Sequence, residues 1–592
     1  MDIIACMKNT ALSEIFEQMA DIMEILGEDR FRINSYRKVA RVIGEMPTDV
    51  EVLLDSGKLA AVPGIGKSSL AKIEEFCRSG RLTAHEDLLK KIPITLLDLL
   101  AIGGMGPKSV KAVYENLKVT SIAELKQALA DGLVATLPGF GEKKAAAILR
   151  SIEFMEKSSG RIRLDQAIAA AEIVLAHLRE AGGMDKMQPA GSLRRRAETI
   201  GDVDILVTTK EAKSTTRTKA TPQQIIGHFA EAPFVERVLA AGKTKGSAVI
   251  QTQTTPVQVD VRVVAPESFG AAVQYFTGSK QHNVRLRELA VKSGLKLNEY
   301  GLFKGDKRIA GTREEEIYEK LGLDFIDPVL REDRGEVQAA ARHALPRLVT
   351  LDDIKGDFHL HTEASDGNAS IEEMARAARE LGYAFICITD HSQSSVIAGG
   401  QTPAQLARQI EQVRRADAKL KGITVFAGAE VDILADGSLD FDDELLADLD
   451  FVVASIHSGL QSPREKVTTR TLKAMDNPYV TCIGHPTGRL LGQREAMDLD
   501  MAAVIEHAAQ TGTALEVNAN PYRLDLKDTH CRMAIEAGVK LALGTDAHST
   551  TGLTLMPFGL ATAARGWATK TDVLNTVSVN KLRNAFKAKR PT

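Results

Sequence analysis

Cysteine is scarce in this 592-residue chain, which has five, at Cys6, Cys77, Cys387, Cys482 and Cys531, and no C-x-x-C pair. Neither a disulfide framework nor a thiolate zinc site is indicated, and the thiols read as buried or incidental. Long apolar runs are missing too. Ala384–Thr389 and Phe451–Ile456 are among the longest, far short of the ~20 residues that span a bilayer, and Met1–Thr10 lacks a signal-peptide core. The expectation is a cytoplasmic protein with no membrane partner.

A basic excess is also lacking. The net charge of −3 argues at first against a polyanionic partner, which selects for basic surfaces. It divides unevenly, at −1 for residues 1–160, +5 for 161–350 and −7 for 351–592. Apolar residues make up 44% and charged residues 26%, which excludes disordered and collagen-like classes. At roughly 150 residues per domain the length predicts about four domains.

The first 160 residues read as short amphipathic helices containing one repeated pattern, apolar-x-G-x-G followed by a helix. Its copies are V-P-G-I-G-K (Val62 to Lys67), I-G-G-M-G-P-K (Ile102 to Lys108) and L-P-G-F-G-E-K-K (Leu137 to Lys144). Glycines at Gly64 and Gly66, Gly104 and Gly106, and Gly139 and Gly141 permit a tight turn. They leave N–H groups free at the next helix's start, where a DNA phosphate can sit without its base being read. The pattern resembles the helix-hairpin-helix motif. Phe31–Ala40 (F-R-I-N-S-Y-R-K-V-A) with the first hairpin and K-I-E-E-F resembles the N-terminal domain of family X DNA polymerases, the DNA polymerase beta-like enzymes. That resemblance implies a lysine able to form a Schiff base with 5'-deoxyribose phosphate, and Lys72 stands at the position. Two other basic positions of that lyase pocket read Arg32 and Ser68, and a solvated helix lysine competes with the lyase reading.

In the middle third, G-S-L-R-R-R-A-E-T-I-G-D-V-D-I-L-V (Gly191 to Val207) precedes V-Q-V-D-V-R-V-V (Val257 to Val264). Residues two apart on a strand share a face, so Asp202 and Asp204 project together, and Asp260 belongs on a neighbouring strand. Three clustered carboxylates call for two Mg2+ or Mn2+ ions, the arrangement for in-line phosphoryl displacement. Gly191, Ser192 and Gly201 would approach phosphate, with Arg195 neutralising charge. Tyr275 to Arg287 reads Y-F-T-G-S-K-Q-H-N-V-R-L-R, and here the family X resemblance becomes close. It implies that Tyr275, Phe276 and Gly278 line the dNTP sugar pocket, Asn283 meets the base's minor-groove edge and Arg287 meets the template. Lys280 departs from the family, where DNA polymerase beta carries an acid. Thr208–Pro222 reads as a mobile loop.

From Asp353 onward, apolar strands alternate with amphipathic helices. Polar residues fall at strand ends: His359, His361, Asp366, His391, Glu430, His457, His485, Asp546 and His548. In a parallel barrel those ends share one face. Imidazole plus carboxylate without thiolate suits Mn2+, Zn2+ or Fe2+. The pattern resembles the PHP (polymerase and histidinol phosphatase) domain, a distorted (β/α)7 barrel. By that resemblance His359, His361, Glu430 and Asp546 hold one ion, Glu430 shares a second with His457 and His485, and Asp366, His391 and His548 hold a third.

The reading is therefore a multidomain α/β protein resembling bacterial family X polymerases with a C-terminal PHP domain. Its parts are an all-α helix-hairpin-helix domain at 1–85, a second at 86–160, a nucleotidyltransferase palm at 161–265, a thumb at 266–330, a linker at 331–352 and the PHP domain at 353–592. The implied activity is gap-filling synthesis on primed or gapped DNA with dNTP, plus metal-dependent 3'-5' exonuclease and candidate 3'-phosphatase or abasic-site endonuclease activity. A nucleoid-associated monomer is expected. The competing readings are a nuclease or a DNA-binding repair platform with one vestigial centre, and a small-molecule phosphatase.

Overall fold

A computed structural model describes residues 5–44, 50–62, 64–102, 104–158, 160–209, 221–252 and 255–588. Residues 210–220, within the expected loop, lie outside these. The three hairpins share one construction. A 3-10 turn (Leu59–Ala61, Asp98–Ala101, Val134–Thr136) leads to a glycine at φ +99°, +89° and +82° (Gly64, Gly104, Gly139), a conformation that suits only a residue without a Cβ. Helices Lys67–Ser79, Pro107–Leu117 and Gly141–Ser158 follow. In the first two, Gly66 and Gly106 are extended N-caps, whereas Gly141 has φ +70°. The helix Ala5–Leu26 is shared by both helical cores, with Leu12 and Phe16 in one and Met19, Ile22 and Met23 in the other.

A two-residue pair, β1 (Ile162–Arg163) with β3 (Thr199–Ile200), opens the palm. Its main sheet has the order β2 (Met184–Pro189), β4 (Val203–Thr209), β7 (Val257–Val264), β6 (Lys245–Ile250) and β5 (Val235–Ala241). Helices Leu164–Ala181 and Pro222–Ala230 cover one face, burying Val174, Leu178, Ile225 and Phe229 against Val203, Ile205 and Val261. The thumb is a three-stranded antiparallel sheet, β8 (Lys296–Asn298), β9 (Gly301–Lys304) and β10 (Lys307–Ala310), with helices Lys280–Lys292 and Glu314–Lys320.

Residues 331–341, expected as linker from their charge, belong to the thumb. Val337 and Ala340 are in its core, and the buried Arg331 pairs with Glu314. His282 reaches Glu336 at 2.7 Å. The charged side chains Arg331, Glu332 and Glu336 find partners within the fold.

Seven parallel strands form the C-terminal barrel in chain order: β11 (Gly356–Leu360), β12 (Phe385–Ile388), β13 (Thr424–Asp432), β14 (Phe451–Ser455), β15 (Cys482–Ile483), β16 (Ala514–Asn518) and β17 (Leu541–Gly544). The seam between β17 and β11 is closed near the strand ends by Asp546 N–H to His359 O and His361 N–H to Ala547 O, both 2.8 Å. Lower down, the Asn575 side chain bridges Gly356 O and Leu543 O, each at 2.8 Å. Inward rings of Phe358, Phe385, Phe426 and Phe451 fill the barrel. Phe586 of the terminal helix Val579–Ala588 plugs it, 5.4 Å from Phe451. This apolar floor pushes the polar strand ends into one layer above it.

The barrel helix Met556–Arg565 docks on the two preceding domains: Phe558 packs on the palm core and the neighbouring Trp567 on the thumb core. Arg565 donates to Glu332 at 2.9 Å, to Arg195 O at 2.7 Å and to Asp528 at 3.0 Å. Arg489 reaches Glu198 at 2.7 Å, and the Arg163 guanidinium lies 3.7 Å over the Tyr522 ring.

Candidate active sites in the palm and the barrel

Parallel strands β4 and β7 pair with Asp204 directly opposite Asp260, and Asp202 stands in the turn before β4. Single oxygens from the three lie within 4.8 Å of one another. Their burial is graded, Asp202 exposed and Asp260 buried. Burial first, then the charges of Asp202 and Asp260, push the Asp204 carboxyl up to about 6. Burial also opposes charge on Asp260, but Lys245, 2.5 Å away, and Ser247 outweigh it and hold that group below its usual range. An in-register carboxylate cluster of this kind suits divalent cations and nothing apolar.

Gly191 has φ +61°, and a Cβ there would come within 2.9 Å of an Asp204 oxygen. Ala190 N–H donates to Asp204 O at 2.8 Å, which ties the G-S turn to the strand. Ser192 is half-buried beside it. A Cβ on Gly201 would lie 3.3 Å from Arg161. Arg195 is engaged elsewhere: its Nε meets Glu332 at 2.9 Å and its Nη1 meets Thr277 O at 2.8 Å. Sequence reading overlooked Lys245 and Arg262, since K-G-S-A-V reads only as the end of a strand.

Tyr275 and Phe276 meet edge to face at 5.2 Å, with the Arg262 guanidinium 4.7 Å from the Phe276 ring centre. Lys245, Arg262, Phe276 and Tyr300 line a pocket of about 270 Å³. Asn283 donates to Tyr275 O (2.7 Å) and Gly278 O (3.2 Å), so it fixes the aromatic turn in this structure. A Cβ on Gly278 would strike it at 2.7 Å. Arg287 is exposed and donates through Nε to Asn283 O at 3.2 Å. Lys72 donates to Ser68 Oγ at 2.9 Å and lies 5.7 Å from the Tyr36 ring centre. Lys144, in the third hairpin, donates to Ser109 at 2.9 Å and so links the second and third hairpins.

The barrel brings all nine strand-end groups to one face. Glu430 is central: Oε1 lies 2.8 Å from His485 Nε2 and 3.3 Å from His457 Nε2, while Oε2 lies 3.0 Å from His391 Nδ1 and 3.3 Å from His359 Nε2. His361 Nε2 is 3.1 Å from Asp546, and His548 Nε2 is 3.3 Å from Asp366. Three groups can each converge on one point: His361, Asp366, His391 and His548; His359, His361 and Asp546; and His391, Glu430 and His457. The last differs from the sequence grouping in placing His391 beside Glu430.

These residues fit divalent ions. Buried His359 Nε2 and His391 Nδ1 sit 3.3 and 3.0 Å from Glu430 Oε2, yet none of the three atoms has acceptable hydrogen-bond geometry, as lone pairs aimed at a common point would. Burial and the neighbouring His548 and His391 push His361 down to about 4, leaving it neutral, the ligating form. Burial opposes charge on His457 and His548, but the surrounding acids, foremost Glu430 for His457 and Asp366 for His548, raise them to about 10 and about 9. The pocket favours positive charge. Asp546 and His485 have φ +55° and +26°, strain of the kind that surrounding structure must hold in place.

Family models match along the chain: helix-hairpin-helix domain at 7–82, SAM-like helix-hairpin-helix tandem at 96–153, DNA polymerase beta palm at 161–266, DNA polymerase beta thumb at 272–332 and PHP domain at 357–520. A Bacillus subtilis protein, DNA polymerase/3'-5' exonuclease PolX, is 35% identical over 575 residues, covering 97% of this chain and 98% of the relative. The chain belongs to the PolX family. Its barrel alone is also similar to probable phosphatases. One from Thermoanaerobacter sp. is 31% identical over 40% of this chain and 95% of its own length. Another, from Caldicellulosiruptor saccharolyticus, is 33% identical over 33% of this chain and 81% of its own. PolX and PHP proteins are metal-dependent, in keeping with both clusters.

A second layer of this PolX barrel escaped sequence reading. Glu516, on β16, accepts from His359 Nδ1 at 2.7 Å, and Asp432 meets His457 Nδ1 at 2.6 Å. Such carboxylates orient imidazoles toward metal. Arg523 stands 3.5 Å from Asp546.

Proposed function

We infer that this DNA polymerase and 3'-5' exonuclease fills short gaps during DNA repair, with extension in the palm and 3'-end trimming in the barrel. The observation that carries the reading is the pairing of Asp204 with Asp260 on adjacent strands of a chain whose barrel separately gathers six imidazoles and three carboxylates. In the palm, Asp202, Asp204 and Asp260 would hold two Mg2+ or Mn2+ ions. Gly191 and Ser192 present the phosphate-side turn, and the Tyr275–Phe276 pair walls the sugar. Arg195, released from Glu332, would reach the triphosphate. Asn283 and Arg287 face the base and template, and the hairpin glycines hold backbone phosphates.

In the barrel the nine groups would hold up to three ions, Mn2+, Zn2+ or Fe2+. Divalent ions there supply an activated water and a clamp on the phosphoester, and in the palm a clamp on both reacting oxygens. Glu430, anionic despite burial because His359, His391 and His457 surround it, bridges the groups. His361, neutral, would ligate beside Asp546. 3'-Phosphatase and abasic-site cleavage are further expected substrates of the same centre.

A labelled one-nucleotide gap incubated with Mg2+ or Mn2+, with and without dNTP, shows extension and shortening on one gel. Lengthening with dNTP and shortening without it is expected. Binding with neither product would return the protein to a repair platform. Lys72 is held by Ser68, and borohydride trapping on a 5'-deoxyribose phosphate end is expected to give no Lys72 adduct. Sedimentation is expected to report a monomer.

A further inference from the structure

The rim of the barrel pocket is apolar on one side. Val396 and Ile397 line the same pocket as His391, Glu430, His457 and Asp546, yet their side chains project outward. Ile397 is 105% exposed and Val396 80%, and Ile397 is the most exposed large apolar side chain among the described residues. Scattered surface apolar residues need no explanation, but two consecutive ones at the mouth of a catalytic pocket do.

The lip is held, not loose. Ser394 donates through N–H and Oγ to Asp440 at 2.7 and 2.6 Å, and the Val396–Ala398 turn closes on Ser395 O at 3.0 Å. Ser395 Oγ donates to Asp432 at 2.9 Å, and Asp432 in turn takes His457 Nδ1 at 2.6 Å. The lip is thus bonded, through one carboxylate, to an imidazole of the barrel centre. Gly399, at φ +67°, lets the chain turn back immediately after it.

Arg523 lines the same cavity, within 3.5 Å of Asp546. A pocket of about 790 Å³ with cation-seeking groups, a guanidinium and an apolar lip matches one or two nucleotides, not a duplex. Phosphate meets the charged part, and a flat, weakly hydrated ring meets the lip. Nucleobases stack on apolar and aromatic side chains, and isoleucine is among the side chains that wedge between them. Two side chains are too small a patch for a protein partner.

We propose that Val396 and Ile397 form a nucleobase-stacking subsite that seats the terminal base of a DNA 3' end beside the barrel centre. This rests on the reading of that centre as the 3'-5' exonuclease. A base seated there leaves the stack of its own strand, so the lip sets which ends are bound without touching the bond that is cut.

The test compares single strands ending in a normal nucleotide with strands ending in an abasic tetrahydrofuran residue, in Mn2+, for the parent, Val396→Ser/Ile397→Ser and Ile397→Trp. The parent is expected to favour the base-bearing end in KM. The double serine variant is expected to lose about tenfold of that preference with kcat at saturation held, and Ile397→Trp to strengthen it. Palm extension of a matched gap, a different centre, reports that the variants are folded. Equal preference in parent and double variant, or weaker preference in Ile397→Trp, would overturn the subsite while leaving the nuclease in place. No cleavage of either strand by the parent would overturn the nuclease reading and this proposal together.

Discussion

The palm and the barrel solve the same problem, holding charge where phosphate chemistry happens, in opposite ways. The palm uses two acids on adjacent strands of an open sheet and a third, the exposed Asp202, in the turn before one of them, with one lysine as counter-charge. The barrel uses nine groups from the C-terminal ends of six strands, closed over an aromatic floor and backed by Glu516 and Asp432. In the palm, position comes from backbone register, and a shift of one residue would turn an acid to the other face. In the barrel, position comes from side chains bracing side chains, so no single strand decides it. An open acid cluster suits ions exchanged with substrate; a braced, buried one suits ions that stay.

The sharpest way to break that comparison is to remove one acid from each centre. Asp204→Ala is expected to lower gap extension on the order of 10³-fold or more and to leave Mn2+-dependent shortening intact. Glu430→Gln should do the reverse. Because it strips the anion from among buried imidazoles, it should also lower the barrel's stability by about 3 kcal/mol, read by thermal melting. If either variant loses both activities, the two centres are not independent.

A gentler test is Gly191→Ala. Its Cβ would press on Asp204, so extension should fall roughly 10- to 100-fold, the scale of a misplaced reacting group, with shortening unchanged. An effect as large as that of Asp204→Ala would mean that the turn itself contacts substrate.

Arg565→Ala should cost about 2 kcal/mol by leaving Glu332 with Arg195 alone and Asp528 with Arg334 alone, and should expose the palm–barrel junction to limited proteolysis before either centre fails. The smallest effect concerns pH. Burial pushes the Glu332 and Asp528 carboxyls up, but Arg565, with Arg195 and Arg334, outweighs it and holds both below their ordinary values. Depressed acids contribute stability above the unfolded value, near pH 4, and lose it as pH falls through their lowered values. Protease sensitivity of the junction should therefore be flat from pH 8 to about 5 and rise below about 4.

Much of this was legible in the chain because chemistry repeats locally. Three glycine turns, a D-x-D followed by a third Asp among valines, and polar residues at the ends of apolar strands are all one-dimensional patterns. What was missed depends on contacts made across long sequence distances. Glu516 sits in A-L-E-V-N and looks like any strand residue until His359, 157 positions away, is found bonded to it. The 331–341 segment reads as linker because its charges find partners in the fold, not in the sequence. Arg195 follows the polymerase pattern, yet it is held by Glu332, whose other partner, Arg565, comes from the barrel.

The helix that carries Phe558 into the palm core and Arg565 onto Glu332, with Trp567 just beyond it in the thumb core, has a kinetic consequence. A domain on a flexible tether meets its neighbour's product at a concentration set by linker length. Here the junction is packed, so the separation of the two centres acts as a fixed ruler. A 3' end passing between them must bridge it with its own freed strand or leave the protein and rebind. Under the proposed division of labour, the choice between copying and trimming would then be timed by how quickly the primer frays from its template, a property of the DNA end more than of any moving part of the enzyme.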